Sequence, residues 1–202
     1  MKKIWLGIGA LALSFSALAA DFKEGVEYRV LKDQPRVENS IVKVFSVYCP
    51  FCYKYEKSVT PMLAKTYGDQ FDAYHLTEKG DFGKVATPVL AALKTIGSEP
   101  YKAAKMAYYG AIFDKKMTFK DETAFRQYGL DAAKVSQADF EAALAKPQTQ
   151  ATIKLWQDKA LPVAKVQGVP AIVVNGQYLV NTSKVTSMDM LKGLIDHLLA
   201  KK

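Results

Sequence analysis

Residues 41–52 read IVKVFSVYCPFC, and this junction limits the fold more than any other stretch of the chain. Ile41 to Val47 is β-branched and almost continuously apolar, the pattern of a strand buried on both faces. Pro50 follows within three residues and suits the first turn of a helix, because its missing N–H is one that a helix start leaves unbonded anyway. A central strand must therefore end, and a helix begin, at the only two cysteines the chain possesses, Cys49 and Cys52. The helix is expected to run to about Tyr67, with Pro61 kinking or dividing it. FDAYHL, Phe71 to Leu76, is a second strand, which makes residues 41–76 a β-α-β unit.

The position of the cysteines predicts their chemistry. A bridge across so small a loop stabilises little by chain entropy, which favours reactivity over bracing. At a helix start, unpaired N–H groups and the positive end of the helix dipole favour an anion, so the Cys49 thiol should be acidified. Cys52, one turn further in, is expected to be more buried and less acidic, as a resolving thiol needs to be. Each unit of acidification is about 1.4 kcal/mol of preference for the thiolate and makes the disulfide more oxidising. Covalent c-type haem would want histidine after the second cysteine, where Tyr53 stands. Zinc would have to recruit His75 and His197, at spacings of no familiar site. Both histidines read as ordinary residues of a strand and of the last helix. A copper(I) site on the two thiolates remains as a binding-module alternative.

The first twenty residues hold two lysines, an apolar run from Ile4 to about Phe15 and the small-residue pattern at Ala17 and Ala19. They read as a secretory signal peptide, residues 1–19, too short in its apolar core to span a membrane. Its removal leaves 183 of the 202 residues, enough for a sound core without staples, and lowers the formal charge from +8 to +6. Export implies an oxidising compartment, where cysteines pair. It also removes nucleic acid as a partner, and the lysines are scattered rather than gathered in one run. The excess charge reads as a solvated surface, or as steering toward acidic clients or an anionic membrane surface.

Upstream of the junction, Val26 to Leu31 is a short strand before a turn at Pro35. Downstream, residues 82–161 are rich in alanine and lysine, with apolar spacing near 3.6. Val89, Leu90, Leu93 and Ile96 mark one helix; Tyr101, Met106, Tyr109 and Phe113 another; Phe125, Tyr128 and Leu130 a third. Ser136 caps a short helix to Ala145, and a longer one starts beyond Pro147, includes Trp156 and is kinked or ended by Pro162. Strands return in VPAIVVNGQYLV, Val169 to Val180, where Asn175-Gly176 is a strong hairpin signal. A final helix, capped by Ser187, buries Met188, Leu191, Leu194, Ile195 and Leu198. Residues 20–81 and 162–202 thus form one discontinuous domain around an inserted helical domain, 82–161.

Cys-x-x-Cys after a strand, a helical insertion, then Gly168-Val169-Pro170 before a hairpin and a last helix: this order resembles the DsbA family of periplasmic disulfide oxidases, over essentially the whole mature chain. The resemblance implies an α/β, thioredoxin-like fold with an inserted all-helical domain, and a cis Val169-Pro170 bond beside the dithiol. It implies that the backbone there pairs with the client peptide. It further implies a monomer in the periplasm that needs no cofactor beyond its Cys49-Cys52 disulfide. That disulfide passes to reduced exported proteins and is restored by a membrane, quinone-linked oxidase of the DsbB type. Pro50-Phe51 stands where well-known members carry Pro-His, and with the lysine-rich surface is most similar to the DsbL branch. That branch is paired with a DsbI partner and an arylsulfate sulfotransferase client. A reductase or isomerase on the same scaffold is the other reading, although reductases usually show Trp-Cys-Gly-Pro-Cys and isomerases carry an added dimerisation domain. Family members usually bury an acidic residue beneath the site, paired with lysine on the next strand, where this chain has Lys43 and Ala73. A buried lysine without a partner is costly, so Lys43 either reaches solvent along its stem or lends its charge to the thiolate.

Overall fold

A computed structural model describes residues 22–201. The signal peptide expected at 1–19 lies outside the described residues. The chain forms β1 (Tyr28–Val30), β2 (Ile41–Phe45), α1 (Pro50–Lys57), α2 (Val59–Tyr67), β3 (Phe71–His75), α3 (Gly83–Ile96), α4 (Ser98–Tyr109) and α5 (Glu122–Ala133). These are followed by α6 (Gln137–Leu144), α7 (Pro147–Gln167), β4 (Ala171–Val174), β5 (Tyr178–Val180) and α8 (Met188–Leu199). The sheet order is β1-β5-β4-β2-β3; β2 and β3 are parallel and the other pairs antiparallel. This is a thioredoxin-like sheet with a helical block between β3 and β4.

Strand alternation divides β2 between two cores. Ile41 packs with Val59, Leu63, Ile172, Leu191 and Leu194, on the face covered by α2 and α8. Val44 packs with Ala160, Val163, Ala171 and Val173, on the face covered by α7. Lys43 shares its face with Ile41 and Phe45, and its strand neighbours are Ala73 and Ile172. It is fully buried and does not reach solvent along its stem.

Beside the cysteines, two boundaries differ from expectation for local reasons. The strand stops at Phe45 rather than Val47, because the Val47 N–H turns to the His75 ring and the Cys49 N–H to the Ser46 carbonyl. The helix from Cys49 divides at Ser58, three residues before Pro61. Pro61 has no N–H to offer the Lys57 carbonyl and its ring crowds that oxygen, so the α1 ladder ends there.

The aromatic stripes of the middle segment are core. Tyr108 and Phe125 stack with centroids 4.2 Å apart, and Gly129 is where a Cβ would collide with the Tyr108 hydroxyl. Phe113 leaves the regular helix, since α4 loosens into a π-turn at Gly110–Asp114. Pro162 does not end α7, which runs on to Gln167. Trp156 belongs to the core of the helical block, while Ala160 and Val163 lie on the sheet, so the change from block to sheet occurs within one helix.

The hairpin forms as its sequence signals, with Asn175 at φ 51° and Gly176 at φ 71°. Asn175 is buried and its side-chain amide donates to the Leu198 carbonyl at 3.1 Å, tying the turn to the last helix. At Gly176 a Cβ would come within 2.5 Å of the Pro35 carbonyl oxygen, whereas at Gly25, also at positive φ, it would meet nothing. Gly176→Ala should therefore cost about 2 kcal/mol or more and Gly25→Ala about 1, read from urea midpoints; equal losses would mean that the close approach does not matter.

Candidate active site

Cys49 is the N-cap of α1, in extended conformation (φ −117°, ψ 111°), and Pro50 is its first residue. The Cys49 sulfur accepts the Cys52 N–H at 3.0 Å, and the Cys49 carbonyl accepts the Tyr53 N–H at 3.1 Å. The first turn carries no acidic residue, while Lys54 and Lys57 occupy the last turn. Cys49 and Cys52 are joined in a disulfide. Their exposures hardly differ, at 1 % and 0 %, so the expected contrast between an open and a buried cysteine is absent in this oxidised state.

The Val169-Pro170 bond is cis, and the Val169 carbonyl oxygen lies 3.2 Å from the Cys49 sulfur. In the dithiol the sulfur would face two opposed neighbours. The Cys52 N–H and the helix end favour a thiolate, by about 1.5–3 and 0.3–2 kcal/mol respectively. The Val169 carbonyl favours an S–H, which is a weak donor. The donors outweigh the weak S–H contact, which is the balance that a stabilised thiolate requires.

Beneath the junction sits His75, fully buried. The Val47 N–H donates to its Nε2 at 3.3 Å, so that nitrogen holds the lone pair; Nδ1 then carries the hydrogen and donates to Thr87 Oγ1 at 2.8 Å. The Thr87 hydroxyl in turn reaches the Gly83 carbonyl at 3.2 Å. Burial pushes the imidazole pKa down to about 3. His75 is thus neutral near pH 7 and serves as the acceptor for the N–H that β2 leaves unpaired.

Lys43 has partners that the sequence alone did not reveal. Its ammonium contacts Glu56 Oε1 and donates to Thr60 Oγ1 at 2.6 Å; Lys105, from α4, stands 2.9 Å from Glu56 Oε2. The three side chains are 0 %, 5 % and 4 % exposed. Burial, against the pull of Glu56, lowers Lys43 to about 8, and burial likewise lowers Lys105. For Glu56, burial works upward, but the two ammoniums outweigh it and hold the carboxyl below its ordinary value. Glu56 follows Cys52 by four residues and so shares its helix face, a spacing that could have flagged it. Lys105, among many lysines of the helical block, gave no such signal.

Phe51 is 62 % exposed, with the Lys54 ammonium 5.4 Å from its ring centroid. Tyr53 stacks on Tyr109 at 5.1 Å and donates to Asp114 at 2.6 Å, which docks the π-turn against α1. His197 lies far from the sulfurs in the fold, against Phe22 and Tyr28. Among the described residues no helix is long and apolar enough to cross a membrane.

Comparison with known proteins agrees with this geometry. Residues 34–197 match the family model described as Thioredoxin. The thiol:disulfide interchange protein DsbL of Escherichia coli O6:H1 is 46 % identical over 208 aligned positions, covering 95 % of this chain and 92 % of the relative. DsbA of Salmonella typhi is 31 % identical, covering 94 % and 91 %. The crystal structure of DsbL from Salmonella enterica serovar Typhimurium superposes with a TM-score of 0.83 at 44 % identity, covering 90 % of this chain and 98 % of that one.

The neutral His75 sets an acid limit on stability. The unfolded state takes up a proton near pH 6.5 and the folded state only near 3, so stability rises with pH across that window and is lost on acidification. The loss is at most about 1.4 kcal/mol per pH unit. The urea midpoint of the oxidised protein should fall less steeply from about pH 6 to about pH 4 in His75→Gln than in wild type. Equal slopes would show that His75 is not held neutral.

Proposed function

The chain belongs to the DsbA–DsbL family of thiol:disulfide interchange proteins and is a thiol-disulfide oxidoreductase; on that premise we propose that it is a dithiol oxidase, which donates the Cys49-Cys52 disulfide to reduced exported proteins in the periplasm. The observation that carries this reading is the place of Cys49 as the helix N-cap, its sulfur held by the Cys52 N–H. An oxidase needs a stabilised Cys49 thiolate as leaving group.

In this cycle a client thiolate attacks the Cys49 sulfur, the Cys49–Cys52 bond breaks, and Cys52 leaves and takes up a proton. A second client thiolate then attacks the client sulfur of the mixed disulfide and expels Cys49 as thiolate. The client loses two electrons, and the enzyme is left as the dithiol. Attack requires access to the sulfur, which lies against the Val169 carbonyl, and the backbone of the Val169-Pro170 loop is what pairs with the client strand there. A membrane, quinone-linked oxidase of the DsbB or DsbI type returns the dithiol to disulfide. The likeness to DsbL favours an arylsulfate sulfotransferase among the clients. The protein acts as a monomer and needs no other cofactor. Phe51 adds an exposed apolar contact next to the sulfur, flanked by the charge of Lys54. The buried Lys43 adds positive charge in favour of the Cys49 thiolate, which Phe51 cannot do.

A Cys52→Ser variant should accumulate mixed disulfides through Cys49 that can be identified after non-reducing separation; an empty trap would end the oxidase reading. The reduction potential should lie well above the roughly −270 mV of thioredoxin. A value near thioredoxin's would favour a reductase. In Lys43→Met, thiolate absorbance at 240 nm should titrate at higher pH than in wild type, and an unchanged Cys49 titration would remove Lys43 from the account.

A further inference from the structure

Glu56 and Lys105 take no part in the exchange chemistry, yet they lie directly beneath it. Glu56 is one helical turn, about 6 Å, from Cys52 along the same face of α1. The Lys43 and Lys105 ammoniums stand 5.2 and 5.4 Å from the centroid of the Phe45 ring, and Phe45 shares one buried cluster with Cys49 and Cys52. Two ammoniums therefore share a single carboxylate; Glu56 and Lys105 edge a surface cleft, but at 5 and 4 % exposure their charges are weakly screened. Neighbouring charges do not cancel the excess. Asp72 pairs with Lys94 and Glu99 with Lys102, each pair neutral in sum. Tyr101 and Tyr109, which feel the Glu56 charge, are buried phenols pushed far from ionisation. Thr60 carries no charge.

Lys43 and Glu56 lie on β2 and α1, so Lys105 is the ammonium that joins the helical block to the active-site helix; a brace alone, however, would leave the Cys49 titration where it is. Buried ion pairs are also weak sources of stability. We propose that Lys105, reaching out of the inserted helical block, is a positioning residue for the dithiol: by sharing Glu56 it leaves the buried cluster a net cation, which favours the Cys49 thiolate from beneath the active-site helix. The inserted domain thereby sets oxidising strength as well as shape. This rests on reading Cys49 as the reactive thiolate.

The test is the Cys49 titration, followed by absorbance at 240 nm in the full-length reduced protein and compared across variants ordered by cluster charge. Lys105→Met makes the cluster neutral, and the ratio of thiolate to thiol at fixed pH should fall roughly tenfold. Glu56→Gln leaves two positive charges at any pH low enough to keep both ammoniums protonated without their carboxylate, and there it should move the ratio the opposite way. The double variant restores one excess charge and should return near wild type, while Lys105→Arg should stay there. The equilibrium constant with glutathione should follow the same order. Single variants that shift the titration in the same direction, or not at all, would overturn the proposal if near-ultraviolet circular dichroism shows them folded. Should Glu56→Gln fail to fold, Lys105→Met against Lys105→Arg decides, and equal midpoints would overturn it. None of these readouts uses a client, so an empty Cys52→Ser trap would sink the oxidase reading and leave the charge order intact.

Discussion

The site depends on where the backbone N–H groups go once β2 stops pairing. A strand that becomes a helix within a few residues strands several donors, and each buried one needs a partner. Here the Val47 N–H finds the His75 ring, the Tyr48 N–H the Ser46 hydroxyl, the Cys49 N–H the Ser46 carbonyl, and the Cys52 N–H the Cys49 sulfur. Backbone accounting and thiol chemistry are thus one arrangement. The sulfur that the helix end needs as a cap is the same sulfur whose negative charge that end supports.

Much of this was legible because the signals were local. The strand-to-helix junction, the two cysteines, the Asn175-Gly176 turn and the Ser187 cap each declare themselves within a few residues. The charged cluster did not. Lys43 looked unpartnered because its carboxylate lies on α1 and its competitor on α4, and no periodicity singles out Lys105 from other lysines of its segment. The Ser58 break shows a milder case, in which Pro61 acts on a carbonyl four residues back. Pro162 shows the reverse, since the packing of Ala160 and Val163 on the sheet carries α7 straight through a helix-breaking residue.

The buried cluster is an odd choice if stability were the only demand. Removing charges from water costs several kcal/mol per ion, and the return from pairing is seldom larger. An excess cation beneath α1 makes sense as a field acting on a neighbour, and the disulfide is the neighbour whose chemistry depends on charge. The neutral His75 fits the same economy. Held neutral, it adds no charge beneath the sulfurs near pH 7 and does not compete with the cluster.

The passage of α7 through Pro162 also bears on how such a protein could be taken apart. Its 21 residues span about 30 Å, with Trp156 in the helical core and Ala160 and Val163 against Ala171 and Val173. The inserted segment is therefore not a detachable module. Excising residues 82–161 would take Ala160 from the sheet and leave Val163 on a six-residue remnant of α7, so a trimmed descendant would have to acquire a replacement helix before it could lose the original.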